Sequence, residues 1–313
     1  MPRLVVLGSL SALFFSSTFI FNRAISLAGG HWFWTASLRY VWMLALLMLW
    51  YLCSGKMNLL GQIFGLFKRN WIFWCLTGSI GFGIFYSLIA FSSGFAPGWV
   101  VATTWQMTIL ASPLVLLLFG KKVPLRALLY TLLIFCGILL VNLGQSETVA
   151  WQDLLWGGLP VLVAAFAYPL GNQMLWEAQR QGTRRIPHIK DQVLEDPFAR
   201  IMLLTLGTIP FWVLLYLLMS PPPPAAGQWT STFLVALLSG VVATSLFLYA
   251  RNLAGDSYEI AAIDSLQSGE VLFSLAGEIL FLNGSFPATG GTVGVILTVV
   301  GLGLYMRAQV DQN

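Results

Sequence analysis

Charge is scarce in this chain: Asp, Glu, Lys and Arg make up 9% of its 313 residues, where an ordinary soluble domain carries about 25%. Too little charge is present to cover a water-facing surface, so a soluble globule is excluded. Hydrophobic residues reach 58%, the reverse of the apolar-poor composition of disordered chains, so disorder is excluded as well. Histidine occurs twice (His31, His188) and cysteine three times (Cys53, Cys75, Cys136), with no C-x-x-C spacing and no His beside a Cys. No metal site is expected from them, and the cysteines read as packing residues in apolar stretches. The chain also lacks H-E-x-x-H, an Asp-rich metal motif and the P-loop pattern G-x-x-x-x-G-K-[ST]. A catalytic set, a cofactor and direct use of ATP are therefore not expected, and the chain does not read as an enzyme.

What the sequence has instead is long apolar runs. A helix needs roughly 20 mostly apolar residues to cross about 30 Å of hydrocarbon. Cut at that length, the chain yields ten spans near 4–27, 31–53, 71–94, 97–119, 125–143, 153–177, 198–219, 230–252, 257–282 and 288–306. Runs such as Leu114 to Phe119 and Leu132 to Val141 do not alternate apolar with polar residues, as barrel strands would. The expected fold class is an all-α polytopic membrane protein. The first span outlasts a signal-peptide core and reads as a retained helix.

Cytoplasmic connections of membrane proteins collect Lys and Arg. With the N-terminus inside, that side holds Arg3, Lys56, Lys68, Arg69, Lys121, Lys122, Arg126, Arg180, Arg184, Arg185, Lys190, Arg200, Arg251 and Arg307, which leaves only Arg23 and Arg39 of the 16 basic residues. Both termini are expected in the cytoplasm of a plasma-membrane protein. Topology accounts for the basic clusters, so nucleic acid is not an expected partner. Residues 55–70 mix Leu59, Leu60, Ile63, Phe64 and Phe67 with Lys56, Lys68 and Arg69, which suits a short helix at the interface. Residues 179–197 form a charged cytoplasmic linker, and Pro221 to Pro224 a stiff external connection.

The two halves match in order. Gly8 through Asn22 aligns without gaps on Gly158 through Asn172, Arg39 falls on Arg200, Gly81 on Gly240, Pro124 on Pro287, and Gly137 near Gly301. Residues 1–150 and 151–313 then form two repeats of five spans each. Five is odd, so the second copy enters the membrane from the opposite side, giving an inverted repeat of the kind found in secondary transporters.

Ten spans in two five-helix repeats, Arg39 within SLRYVW, the short turns before Pro124 and Pro287 and the Gly-rich last span of each half resemble the drug/metabolite transporter superfamily with EamA-like repeats. FNRAISLAGGHWFW and TTWQMTI are most similar to its multidrug resistance efflux transporter branch. The resemblance implies a secondary exporter working by alternating access on a drug-like cation or a metabolite. Departures are visible: the glutamate that often ends the fourth helix of such a repeat is replaced by Lys121 and Gly284, and residues 4–27 contain no carboxylate. Glu270 matches a glutamate frequent in the ninth span of EamA-like proteins.

An ionisable side chain at mid-membrane costs about 2.5–3.5 kcal/mol on insertion scales, so such residues are functional candidates. At helical spacing Asp264, Gln267, Glu270, Ser274 and Glu278 fall within a sector of about 120°, one polar stripe on the ninth span. Glu270 lies near mid-span and is the coupling candidate, with Asp264 second. Trp105, Gln106, Tyr168, Asn172, Gln267 and Glu270 are the expected substrate-binding set, because a Trp face beside an amide suits a flat or cationic ligand. Asn22, Arg39 and Glu278 are expected to be structural or gating residues. The competing reading has the stripe in ion pairs with Arg39 or Arg251, and Trp105 in packing alone. Partners expected are a small-molecule substrate, the lipid bilayer, protons and a second copy of the chain as a homodimer. An amino-acid or metabolite facilitator without proton coupling, and a receptor or assembly subunit, remain the alternatives.

Overall fold

The computed structural model describes residues 2–121, 125–144, 150–180, 182–183, 185–254, 259, 263 and 266–310. Among them there is no β-strand. Seven helices are long and apolar enough to cross a membrane: α1 (Pro2–Leu27), α2 (Trp32–Cys53), then, after the shorter α3 (Met57–Arg69), α4 (Trp71–Ser92), α5 (Gly98–Leu118), and beyond α6 (Leu125–Gly144), α7 (Trp151–Arg180), α8 (Pro197–Met219) and α9 (Ala226–Arg251). The chain closes with α10 (Gly269–Phe281) and α11 (Thr289–Val310). Large apolar side chains face outward along these helices, Leu118 at 80% exposure and Phe281 at 75% among them. A surface of that kind is stable only in lipid, and the protein is a multi-pass membrane protein.

Several helices are broken, with local causes. In α8, Pro210 has no N–H to give to Leu206, and the helix is interrupted at Thr208, whose hydroxyl donates instead to the Thr205 carbonyl at 2.7 Å. In α5 the interruption falls at Gln106, whose N–H reaches back only three residues, to Thr103. In α4 and α9 the helix widens to π geometry over Ser79–Ile84 and Ala236–Ala243. The widened turn of α4 lies against α7 at a glycine contact: a Cβ on Gly81 would sit 3.0 Å from the Gly171 Cα, so only glycine admits that approach.

At the end of the molecule carrying most of the basic residues, α3 is the amphipathic helix expected at 55–70. Ile63 and Leu66 are buried against Tyr51 and Trp74, while Phe64 stays exposed. The 179–197 linker is folded onto the same cluster through Ile186, Ile189, Val193 and Leu194. Asp191 pairs with Arg69 at 2.9 Å, and Asp196 caps α8 by accepting the Phe198 N–H at 2.8 Å. Nearby, buried Glu177 takes an ion pair from Lys121 and a hydrogen bond from Gln173, both at 2.9 Å. At the opposite end the proline connection is anchored by the Trp34 indole donating to the Pro222 carbonyl, and Gln228 donates to the His31 carbonyl and to Thr35.

One expectation needs correction. Cys53 and Cys136 are exposed rather than packed inside the bundle, which suits a thiol on a lipid-facing wall. In the expected ninth span Asp264 lies outside the described residues, as do 257–258, 260–262 and 265.

Candidate functional site

A cavity of about 550 Å³ lies in the middle of the bundle. Trp105 and Gln106, from the interruption of α5, Tyr168 and Asn172 from α7, Gln267 from the turn before α10 and Glu270 from its first turn all line it, as does Arg39 of α2. The broken helix explains part of this placement, since the break turns the Trp105–Gln106 pair inward. A second space of similar size shares Thr108, Tyr168, Asn172, Phe247 and Gln267 with the first and continues to Trp176 and Arg251 at the basic end.

One wall is aromatic. The Trp105 ring lies 4.8 Å from Phe85 and 5.6 Å from Tyr168, and Tyr40 stacks on Phe82 at 5.7 Å. The Tyr40 hydroxyl donates to the Phe82 carbonyl at 3.0 Å, satisfying an acceptor in the widened turn of α4.

The polar groups divide into braced and unbraced. Arg39 is braced: its guanidinium lies 4.1 Å from the Tyr86 ring centroid and donates to Thr18 and Ser239, each at 3.3 Å. Behind it, the Tyr86 hydroxyl donates to Asn22 at 3.0 Å. Asn22 does not line the cavity and instead holds the ring beneath Arg39. The Arg39 Nε is buried without a hydrogen-bond acceptor. Gln267 is unbraced, both amide atoms being buried with no partner. Glu270 stands in the first turn of α10, where the helix N-terminus favours negative charge; its N–H donates to the Gln267 carbonyl at 2.9 Å, and its carboxylate makes no ion pair or hydrogen bond among the described residues.

Glu278 lies elsewhere. It is buried at the end opposite the basic one, accepts the Gly98 N–H at 2.9 Å and pairs with Arg23 at 3.9 Å. Arg23 in turn donates to the Ser93 carbonyl at 3.0 Å. The polar stripe of the ninth span thus serves two places, with Gln267 and Glu270 at the cavity and Glu278 at the end opposite the basic one, and neither Arg39 nor Arg251 is the Glu278 partner. Arg23, the aromatic wall of Phe85 and Tyr40, and Arg200 at the cavity's basic-end rim were not among the expected site residues. The match of Arg39 to Arg200 in the repeat was the signal that could have drawn attention to Arg200.

Comparison with known proteins gives a consistent picture. A family model described as "EmrE: Putative multidrug resistance efflux transporter" matches residues 2–311. "Uncharacterized protein YjlA" of Bacillus subtilis (strain 168) is 36% identical over 98% of this chain and 95% of its own length. An "Uncharacterized 42.1 kDa protein in intracellular alkaline protease 3'region" of Shouchella clausii is 35% identical over 80% of this chain and 65% of its own length. A solved structure described as "Crystal structure of protein" superposes with a TM-score of 0.61 over 99% of each chain at 14% identity, a likeness of fold alone.

Proposed function

The chain belongs to the family of multidrug resistance efflux transporters, and on that premise we propose that it is a secondary exporter that carries small molecules across the plasma membrane by alternating access through the central cavity. The observation that carries the reading is that cavity, where groups from both halves of the chain meet around an unpaired carboxylate, Glu270.

The reading takes the architecture as ten spans in two inverted repeats, 1–150 and 151–313. Helix contacts support it, because they interchange when the halves are exchanged: α1 packs on α9 as α7 packs on α4, and α1 on α10 as α7 on α5, while α6 pairs with α11. The widened turns of α4 and α9, around Gly81 and Gly240, also fall at matching places. With both termini and residues 179–197 cytoplasmic, the cavity runs toward the cytoplasm through Pro197 and Arg200, and Arg23 with Glu278 closes the outside.

The proposed substrate-binding set is Trp105, Gln106, Tyr168, Asn172, Gln267 and Glu270. Glu270 is the proposed coupling group, because a proton and a cationic substrate group compete for one desolvated carboxylate, and that competition is exchange. The test is pH-gradient-driven accumulation in proteoliposomes by wild type and Glu270→Gln. Accumulation by wild type and its loss in the variant are expected. Accumulation retained by Glu270→Gln removes the proton role, and a wild type that only equilibrates its substrate is a facilitator.

A further inference from the structure

The charges lining the cavity point to its ligand. Because Arg39 and Glu270 line one aromatic-walled space without pairing with each other, we infer that the exported molecule carries both a cationic and an anionic group on an apolar body, its ammonium on Glu270 and its carboxylate on Arg39. This rests on the reading of the cavity as the substrate site.

Three described side chains with a formal charge line the cavity: Arg39, Arg200 and Glu270. Neither arginine forms an ion pair with Glu270. With Glu270 ionised, the described lining carries one positive charge in excess. A simple lipophilic cation raises that excess, and desolvated like charge is costly when nothing offsets it. A simple anion pairs with Arg39 but leaves Glu270 without a counter-charge. A molecule bearing both groups supplies a partner to each and leaves the total unchanged.

Local geometry agrees. Arg39 is held by Thr18, Ser239 and the Tyr86 ring, none of which is anionic, and its buried Nε still lacks an acceptor. A carboxylate offers the acceptor pair that a guanidinium edge matches. Gln267, one turn before Glu270, presents a buried donor and a buried acceptor, both unpartnered, to the same space. An amide in that state suits a ligand with an N–H donor and an oxygen acceptor. Trp105, Phe85 and Tyr168 offer a flat apolar wall for the body of the molecule, and the volume falls in the range of small-molecule sites. Arg200, on the basic-end rim, attracts the anionic group on entry.

The experiment uses the purified full-length protein and three probe sets: leucine, phenylalanine and tryptophan, each beside its decarboxylated amine and its deaminated acid. Affinity is measured by thermal shift and calorimetry. At least one zwitterion is expected to bind at least about tenfold more tightly than both its amine and its acid, the scale of one charge-assisted hydrogen bond. Arg39→Gln is expected to erase the advantage over the amine, and Glu270→Gln the advantage over the acid. Arg39→Lys, which keeps the charge, guards against a variant that merely misfolds and should retain part of the preference. An amine or acid that equals its zwitterion in every set, or no binding by any of the nine, overturns the inference. Parallel flux of tetraphenylphosphonium separates the two readings: its export without zwitterion preference leaves the exporter standing and removes the inference, whereas zwitterion binding with no flux of any compound removes the exporter.

Discussion

Tyr86 links three parts of the site with one side chain. Its ring supports the Arg39 guanidinium and its hydroxyl ends on Asn22, whose Nδ2 is already without a partner. Tyr86→Phe keeps the ring and strands the Asn22 carbonyl, so a loss of about 1–3 kcal/mol in stability is expected, with ligand affinity less affected than in Tyr86→Leu, which also removes the support of Arg39. Melting temperature and dissociation constant, measured on both variants, separate the two roles. At this scale the sequence was informative about polarity and silent about partners. Spacing alone marks Gln267 and Glu270 as one stripe. It does not tell that Glu278 meets Arg23, because that pair is joined only when the first and tenth helices come together.

Helices meet here through glycine or through capping groups, and each can be tested. A Cβ on Gly294 would lie 2.6 Å from the Gly137 carbonyl, whereas one on Gly290 would lie 3.9 Å from the Gly144 Cα. The tight seam between α6 and α11 is therefore at Gly294, not at Gly290. Gly294→Leu is expected to lower the melting temperature by several degrees and Gly290→Leu by little, since overpacking costs about 1–3 kcal/mol. Neither is expected to alter the order of ligand affinities, because the seam lies off the cavity. A second case is His31, in the turn before α2, whose Nδ1 accepts the Phe33 N–H at 3.3 Å. Burial pushes its pKa below 6.5. The neutral ring is the capping form, so the contribution is present above the unfolded value and lost as pH falls through the lower folded one. Between pH 7 and pH 5 the wild-type melting temperature should fall further than that of His31→Asn, which caps with an oxygen that does not titrate. The helices were legible from run length, and α3 from its mixture of basic and apolar residues. The widened turns of α4 and α9 were not, since Gly81 and Gly240 read equally well as close-packing positions.

For the whole molecule, the proposed direction in the membrane rests on where charge and tryptophan fall. Most of the described basic residues sit at one end, and Arg23 and the proline connection with Trp34 and Trp229 at the other. In a cysteine-free background, a single cysteine at Gly227 should react with an impermeant reagent added outside, and one at Gly182 should not; Ser146, the third position suited to this test, lies outside the described residues. Reversed labelling overturns the proposed orientation. Composition was enough to place the chain in a bilayer, because 9% charge cannot serve a water-facing surface. The cavity itself had to be seen in three dimensions, since eight helices contribute to its walls.

The closure at Arg23, Glu278 and Gly98 has a kinetic corollary. Glu278 belongs to α10, whose first turn holds Glu270, so in the proposed transport cycle the helix that meets substrate at one end is fastened at the other. On the proposed alternating-access reading, a carrier fastened this way rests facing the basic end. Its apparent affinity for substrate offered from the far side is then weakened by the small fraction of molecules that are unfastened. Half-saturation should differ between the two directions of flux under zero gradient, and weakening the fastening with Glu278→Gln should bring the two values together. The molecule would behave as a rectifier whose asymmetry is set by one carboxylate remote from the binding site.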